Sequence, residues 1–204
     1  MSQDDYLNSK NMLRRLFYQA KYPILWDIRS DLSTTLKESK NISEILRDLK
    51  TEFISKESPP KIKSMAKMLV YLGLTESLGV TLIDIALMLL IANGNEMHTH
   101  GPFIKHVTTH KELRKLDLAY KLDFLKKHKL EFFAKLINRE LRNEIAHLKF
   151  KIDENGKIKD SKNNTVLIDD VISEFWAKYY SAINMFEDTG LKQFLEQKEV
   201  TKNG

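Results

Sequence analysis

The sequence predicts a mostly α protein, a helical bundle with one small β-hairpin late in the chain. Apolar residues recur at helical spacing through most of its 204 residues. It contains only 7 glycines and 4 prolines, which argues against a turn-rich all-β fold. The hairpin is predicted from the pair Asn155-Gly156, which lies between short segments of alternating apolar residues.

Two amphipathic stretches are predicted at the N-terminus. Apolar residues follow helical spacing over 6–36, with an interruption at Pro23, and again over 42–54. The segment SKESPPK at 55–61 then places two adjacent prolines among charged residues, which is the clearest break in the chain. We therefore predict an N-terminal helical extension over 1–57 and a second helical domain over 62–204.

The second domain is predicted to contain helices on both sides of a loop. Helical spacing covers 62–74 and 76–92, and the Gly, Asn and Pro content of 93–102 indicates a loop. Helical spacing returns over 111–127 and over 129–148. The composition then changes, and a β-hairpin with a possible third strand is predicted over about 149–168, before a helix that ends near Phe186.

Composition excludes some classes of chemistry. Cysteine is absent, so disulfides, thiolate catalysis and zinc–cysteine sites are excluded. The net charge of +5 favours polyanionic partners only weakly. The longest apolar run, 78–92, is shorter than the roughly 20 residues of a membrane helix and contains Asp84. Because the N-terminus also lacks a signal-peptide pattern, we expect a cytoplasmic protein with no membrane partner.

The stretch RNEIAH, residues 142–147, combines an arginine, an asparagine and a histidine on the predicted helix 129–148. Five residues on a helix correspond to about 140° of rotation, so Arg142 and His147 flank a strip that contains Asn143 and Ala146. The small Ala146 leaves room for a ligand between them. The opposite side of this helix carries the predicted core residues Leu130, Phe133, Ile137, Leu141, Ile145 and Leu148.

Two large apolar residues, Phe132 and Leu136, lie on the predicted polar side of the same helix. A helix that is apolar on two sides is usually covered twice. The second cover is predicted to be either another helix of the chain or a second subunit.

The string Arg142-Asn143-Glu144-Ile145-Ala146-His147 resembles the R-x4-6-H signature of the HEPN superfamily (higher-eukaryote and prokaryote nucleotide-binding domains). The resemblance extends over about 62–190 and implies an α-helical bundle with the motif on a late helix. Many members are metal-independent endoribonucleases of defence, toxin–antitoxin or RNA-processing systems, whereas others only bind nucleotides or partner proteins. Active members usually form homodimers in which two motifs share one cleft, and Phe132 and Leu136 are the expected interface.

The resemblance also implies a mechanism without a metal or another cofactor. Histidine can accept or donate a proton near neutral pH, which is the role expected of His147. Arg142 is expected to bind the phosphate oxygens, and Asn143 to orient the phosphate or the imidazole. The products are expected to be a 2′,3′-cyclic phosphate and a 5′-hydroxyl, and DNA is not expected to be cut. The basic patch, Lys126, Lys127 and Lys129, is expected either to follow the RNA backbone or to be an ordinary solvated surface.

Other interpretations of the motif remain open. Arg142 can be a surface arginine paired with Glu144 or Asn138, and His147 can simply be favoured by the helix dipole. The protein is then either a non-catalytic module that binds RNA, nucleotides, an antitoxin or another protein partner, or a structural helical protein in which the motif is a coincidence.

Residues outside the motif offer weaker candidates. His98 and His100 accompany Glu96 in the predicted loop, and His106 and His110 have the spacing of a helical metal pair. Such patterns are common, so we predict surface histidines and no metal site. Asp84 must be paired if it is buried, either with a basic group near the motif or as a structural contact, or else it faces solvent at an edge.

Overall fold

A computed structural model describes residues 2–20, 22–53, 57–98 and 106–196 of the protein. It is 71% helical and contains one small three-stranded antiparallel sheet near the C-terminus. The predicted fold class, mostly α with a late hairpin, is confirmed.

The first half of the protein consists of long helices. A capping box between Ser2 and Asp5 begins the first of them, and Pro60 at the first helical position begins the third. A π-helical turn joins the third and fourth helices into one run. The elements are α1 Gln3–Gln19, α2 Tyr22–Phe53, α3 Pro60–Leu74, the π-helical turn Thr75–Gly79 and α4 Val80–Ala92.

Shorter elements make up the second half. The strands form a meander in the order β1-β2-β3, with Ile152 opposite Ile158 and Ile158 opposite Val166. The elements are α5 His110–Leu113, α6 Leu118–Lys127, α7 Glu131–Ala134, α8 Arg139–Ala146, β1 Lys151–Ile152, β2 Ile158–Lys159, β3 Thr165–Val166, α9 Ile168–Asp188 and α10 Leu191–Glu196.

Helix α4 lies at the centre of the protein. Every residue from Thr81 to Leu90 is buried, including Asp84. Among the described residues, one helical run, Pro60–Ala92, is long and apolar enough to cross a membrane, but 78% of its most apolar window is buried inside the protein. Such burial is typical of a core helix.

The apolar core is continuous across the predicted boundary at 55–61. Leu13 and Leu16 of α1 and Leu32 and Leu46 of α2 belong to the same buried cluster as α3 and α4. Helices α2 and α3 pack closely, since a Cβ on Gly73 would lie only 2.7 Å from a methyl carbon of Leu46. Residues 55 and 56 of this boundary lie outside the described residues.

The predicted helix over 129–148 is wrong in extent. Helix α6 ends in a Schellman motif, in which Lys129 adopts a φ of 60° and the N–H of Leu130 donates to the carbonyl of Leu125 at 2.9 Å. A single helical turn, α7, follows. The side chain of Asn138 then accepts from the N–H of Leu141 at 3.1 Å and begins a new helix. The motif therefore occupies α8, a helix of 8 residues.

The predicted dimer interface at Phe132 and Leu136 is also wrong. Their exposed fractions are 0% and 2%, so neither presents a surface to a second subunit. The second cover is α1 of the same chain. The ring of Tyr6 packs edge-on against Phe132 at 5.7 Å, and the backbone N–H of Phe132 donates to the Ser9 hydroxyl at 3.1 Å.

Candidate functional site on helix α8

Three contacts place α8 on the body of the protein. Leu141 and Ile145 are buried in the core, as the motif's spacing predicts. Tyr71 of α3 is also buried, and the backbone N–H of Asn138, the N-cap of α8, donates to its phenol oxygen. Burial raises the pKa of Tyr71 to about 12, so the phenol stays neutral over a wide pH range.

The C-terminal end of α8 leaves His147 at the surface. His147 is the C-cap, and the N–H of Lys149 donates to the carbonyl of Glu144 at 2.8 Å to complete a second Schellman motif. Leu148 adopts a φ of 53° in this motif. The prediction that Leu148 belongs to the core is wrong, because the left-handed conformation turns it outward and leaves it 75% exposed.

Arg142 is held by two neighbours. Its Nε donates to the carboxylate of Glu76 in the π-helical turn, and its Nη1 donates to Oδ1 of Asn143 at 2.9 Å. The alternative partners predicted from the sequence, Glu144 and Asn138, are not the ones its guanidinium contacts. The side chains of Arg142 and Glu76 remain 26% and 43% exposed, so the pair is accessible to solvent.

The guanidinium retains capacity for a ligand. Arginine has five N–H donors in a planar fork, and the contacts with Glu76 and Asn143 use two of them. Among the contacts of the described residues, the other donors are available for a phosphate. The site thus combines a held cation with an exposed imidazole, about 7.5 Å apart along the axis of one short helix.

The two sides of α8 differ in charge. The hydroxyl of Ser161, in the β2–β3 turn, donates to the carboxylate of Glu144 and fixes the sheet beside the helix. Between them lies a cavity of about 360 Å³. Its charged lining consists of Glu140, Glu144, Asp160, Lys162, Asp170 and Glu174. This groove is acidic and disfavours a polyanion on its side of α8, whereas Arg142 contacts Glu76 in the π-helical turn.

The basic patch lies far from Arg142. Lys127 and Lys129 line a cavity of about 340 Å³ together with Arg15 and Asn93. Asn93 follows Glu76 by 17 residues of one helical run, so roughly 25 Å separates the two ends at about 1.5 Å per residue. The structure does not bring the patch and Arg142 into one site. Lys126 also lies outside this cavity's lining and pairs with Asp123 at 3.5 Å.

The histidine within the patch is not a second motif. His128 packs against Phe124 with ring centroids 4.4 Å apart. Burial, and then the charge of Lys127, lower the pKa of His128. It ends α6 in the way that His147 ends α8, but it has no arginine five residues earlier.

Glu76 and the surface that leads to it are not among the residues predicted from the sequence. Ile62, Met65 and Leu69, here called the α3 stripe, are exposed at helical spacing on one side of α3. Continuing the same spacing through Leu72 reaches Glu76, the partner of Arg142. The sequence does contain a signal for this surface, because the apolar residues at helical spacing lead to the carboxylate of Glu76.

Asp84 belongs to a separate, buried cluster. The ammonium of Lys121 donates to its Oδ1 at 2.8 Å, and Nε2 of His110 lies 3.4 Å from its Oδ2. All three residues are buried. Of the predicted alternatives, the structural contact is the one observed, and its partners come from α5 and α6, not from the motif helix.

Within the described part of the chain, three residues are close enough together to hold a metal ion. Ligand atoms of Glu96, His98 and His106 all lie within 4.8 Å of one another. Neither predicted histidine pair matches this set, since His110 contacts Asp84 and His100 lies outside the described residues.

Comparisons with known proteins assign no role to these residues. No protein-family model, no curated protein and no solved structure matches this chain.

Proposed function

We propose that this protein is a metal-independent endoribonuclease of the HEPN type, acting in the cytoplasm through Arg142, Asn143 and His147. One observation carries the proposal. On a short helix whose inner side is buried, a guanidinium is held in place by Glu76 and Asn143 while an imidazole remains exposed at the helix end.

The ribose 2′-hydroxyl supplies the nucleophile. One imidazole removes its proton as the 2′-oxygen attacks the phosphorus, and the bond from phosphorus to the 5′-oxygen breaks. A second acid protonates the departing 5′-oxygen. Negative charge accumulates on the phosphate oxygens during the attack, where the remaining N–H donors of Arg142 stabilise it. The products are a 2′,3′-cyclic phosphate and a 5′-hydroxyl.

This mechanism requires two proton-transfer groups, which favours a homodimer. A single His147 cannot be base and acid in the same step, whereas two copies of the motif in one cleft supply both. We place the interface on the α3 stripe. A second chain that covers Ile62, Met65 and Leu69 removes exposed apolar surface from water and approaches Glu76 and Arg142.

The charge distribution supports one direction of RNA approach. The acidic groove on the Glu140–Glu144 side of α8 disfavours phosphate, and Arg142 lies on the other side. Since the basic patch is roughly 25 Å from Glu76, we assign Lys127 and Lys129 at most to a distal part of a longer RNA.

The decisive experiment is RNA cleavage in excess EDTA. The wild type is expected to cut RNA, to leave cyclic phosphate ends and to spare DNA of the same sequence. His147→Ala and Arg142→Ala are each expected to reduce the rate by at least about a hundredfold. His128→Ala is the matched control, because it removes the other C-cap histidine and is expected to retain full activity.

Two results would overturn the mechanism: cleavage that requires an added divalent metal, or a fully active His147→Ala variant. For the interface, Leu69→Glu is expected to convert the dimer to a monomer in light scattering and to lower activity. A wild-type protein that is monomeric at all working concentrations contradicts the proposed dimer.

A second candidate is a non-catalytic module that binds RNA or nucleotides through Arg142 and a protein partner, such as an antitoxin, through the α3 stripe. The exposed α3 stripe favours it, because an apolar series of this kind fits a protein surface as well as a second copy of the chain. This function predicts RNA or nucleotide binding without turnover in the same assay. Arg142→Ala then weakens binding, while no cyclic phosphate appears with any variant.

A further inference from the structure

An isolated antiparallel β-bridge pairs His98 with His106. The N–H of Val107 donates to the carbonyl of Met97 at 2.8 Å, next to the bridge. Met97 and Val107 are both buried in the core. These two apolar anchors fix the positions of the residues on either side of them.

Alternation along an extended chain determines where the neighbouring side chains lie. Because successive side chains point to opposite faces, Glu96, His98 and His106 lie on the face away from the core. Their burial agrees, since Glu96 and His106 are exposed and His98 is half-buried. The imidazole rings of His98 and His106 lie directly across the bridge, with centroids 4.5 Å apart.

We propose that Glu96, His98 and His106 bind one divalent transition-metal ion, with Zn²⁺ as the preferred class of ligand. Two imidazole nitrogens and one carboxylate oxygen form the donor set of many three-ligand zinc sites. Imidazole ligands also accept Ni²⁺ and Co²⁺, whereas the absence of thiolate disfavours softer ions. Water completes the coordination.

The required movement is small. Donor atoms bound to zinc at about 2.1 Å in a tetrahedral arrangement are separated by about 3.4 Å. The three donors already lie within 4.8 Å of one another, so rotations of exposed side chains bring them together while the backbone bridge stays in place.

The ion would act as a cross-link between two parts of the chain. His98 follows α4 and His106 precedes α5, so binding ties the two segments at a second point beside the bridge. An ion that binds only the folded protein stabilises it by mass action. The site lies beyond the C-terminal end of α4, whereas Glu76 precedes its N-terminal end, so the two sites are separate. EDTA would remove the ion from this site and leave the side chains of the proposed cleavage site unchanged.

The test is calorimetric titration of metal-free protein with Zn²⁺, supported by the visible spectrum of the Co²⁺ form. We expect one ion per chain and a rise in melting temperature on binding. His98→Ala and His106→Ala are each expected to weaken binding at least about tenfold, and Glu96→Gln to weaken it as well. His128→Ala and His147→Ala are matched controls that leave affinity unchanged.

The metal-free variants serve as their own folding control, since circular dichroism and melting in EDTA are expected to match the wild type. No stoichiometric binding by the wild type overturns the proposal. Equal affinity in the His98→Ala/His106→Ala double variant overturns it too, because the ion then binds elsewhere.

Discussion

Two carboxylate–cation pairs lie eight residues apart on the same helical run, and their surroundings differ. Glu76 pairs with Arg142 of α8, and the two side chains are 43% and 26% exposed. Asp84 pairs with Lys121 of α6, and the two side chains are 2% and 3% exposed. Similar chemistry therefore occurs once at the surface and once in the core.

The difference in burial gives the two pairs different consequences for folding, and it leaves the surface pair accessible to a ligand. In the core, removing one partner leaves the other charge without compensation in a medium of low polarity. At the surface, water solvates whichever charge is left, so the same change has little effect on folding. A ligand can therefore reach Arg142 without a large cost in stability, whereas Lys121 is buried with Asp84 and inaccessible.

The largest expected effect comes from breaking the buried pair. Asp84→Ala is expected to lower the free energy of unfolding by about 3–5 kcal/mol, because the ammonium of Lys121 stays buried without its carboxylate. Lys121→Met is expected to have a smaller effect, because Nε2 of His110 still lies 3.4 Å from the Asp84 carboxylate. Urea unfolding followed by circular dichroism measures both.

The double variant Asp84→Leu/Lys121→Met is the control for this prediction. It removes both charges and fills their volume with apolar atoms, so it is expected to recover most of the lost stability. Single variants that each cost under about 1 kcal/mol would show that the core tolerates an isolated charge, and would remove the contrast with Glu76.

The next largest effect is the loss of stability at alkaline pH that is expected from Tyr71, the buried tyrosine that contacts the start of α8. Tyr71 carries a pKa of about 12, raised by burial, whereas an unfolded tyrosine titrates near 10. Below pH 10 both states are protonated and the full stability is present. As pH rises from 10 through 12, the unfolded chain loses its proton first, so stability falls by about 2 kcal/mol.

Tyr71→Phe tests this prediction directly. The variant is expected to lose this part of the alkaline decline, and the difference between its unfolding free energy and that of the wild type should change between pH 9 and pH 11.5. A difference that stays constant over this range would mean that the buried phenol does not titrate on unfolding.

The sequence predicts the helices and the late hairpin because their periodic patterns are local. It does not predict the break between α6 and α8. Lys129 and Leu148 adopt left-handed conformations that glycine usually supplies, so the usual signal for a helix end was missing. Without that signal, the periodic pattern predicts one helix over 129–148, with Phe132 and Leu136 on its polar side. The chain forms α7 and α8 there instead, and both residues are buried.

The sequence also does not predict which charged residues pair when they are distant in the chain. The apolar run around Asp84 required a partner for its carboxylate, but nothing local selected Lys121, which follows it by 37 residues. Arg142 was identified through its motif, yet its partner Glu76 precedes it by 66 residues. Local spacing thus identified the groups that carry charge, and only the fold determined which of them meet.

A smaller effect on folding is expected at the surface pair. Glu76→Gln and Arg142→Ala are each expected to change the free energy of unfolding by less than about 1 kcal/mol, since the side chains stay partly hydrated. The same urea experiment measures them. A loss of about 3 kcal/mol in either variant would place this pair with Asp84 and Lys121 as a structural contact, and a loss of RNA cleavage by Arg142→Ala would then no longer separate catalysis from folding.

The smallest expected effect is the change of each variant's destabilisation with salt concentration. It compares the two pairs in the same experiment. Mobile ions screen charges that are in contact with solvent and reach buried charges poorly. The destabilisation by Glu76→Gln is therefore expected to shrink when sodium chloride rises from about 0.05 to 1 M, while that of Asp84→Ala stays constant. Unfolding in urea at both salt concentrations provides the four values. Equal salt responses would show that exposure does not distinguish the pairs electrostatically, and the availability of Arg142 to a phosphate would lose its physical basis.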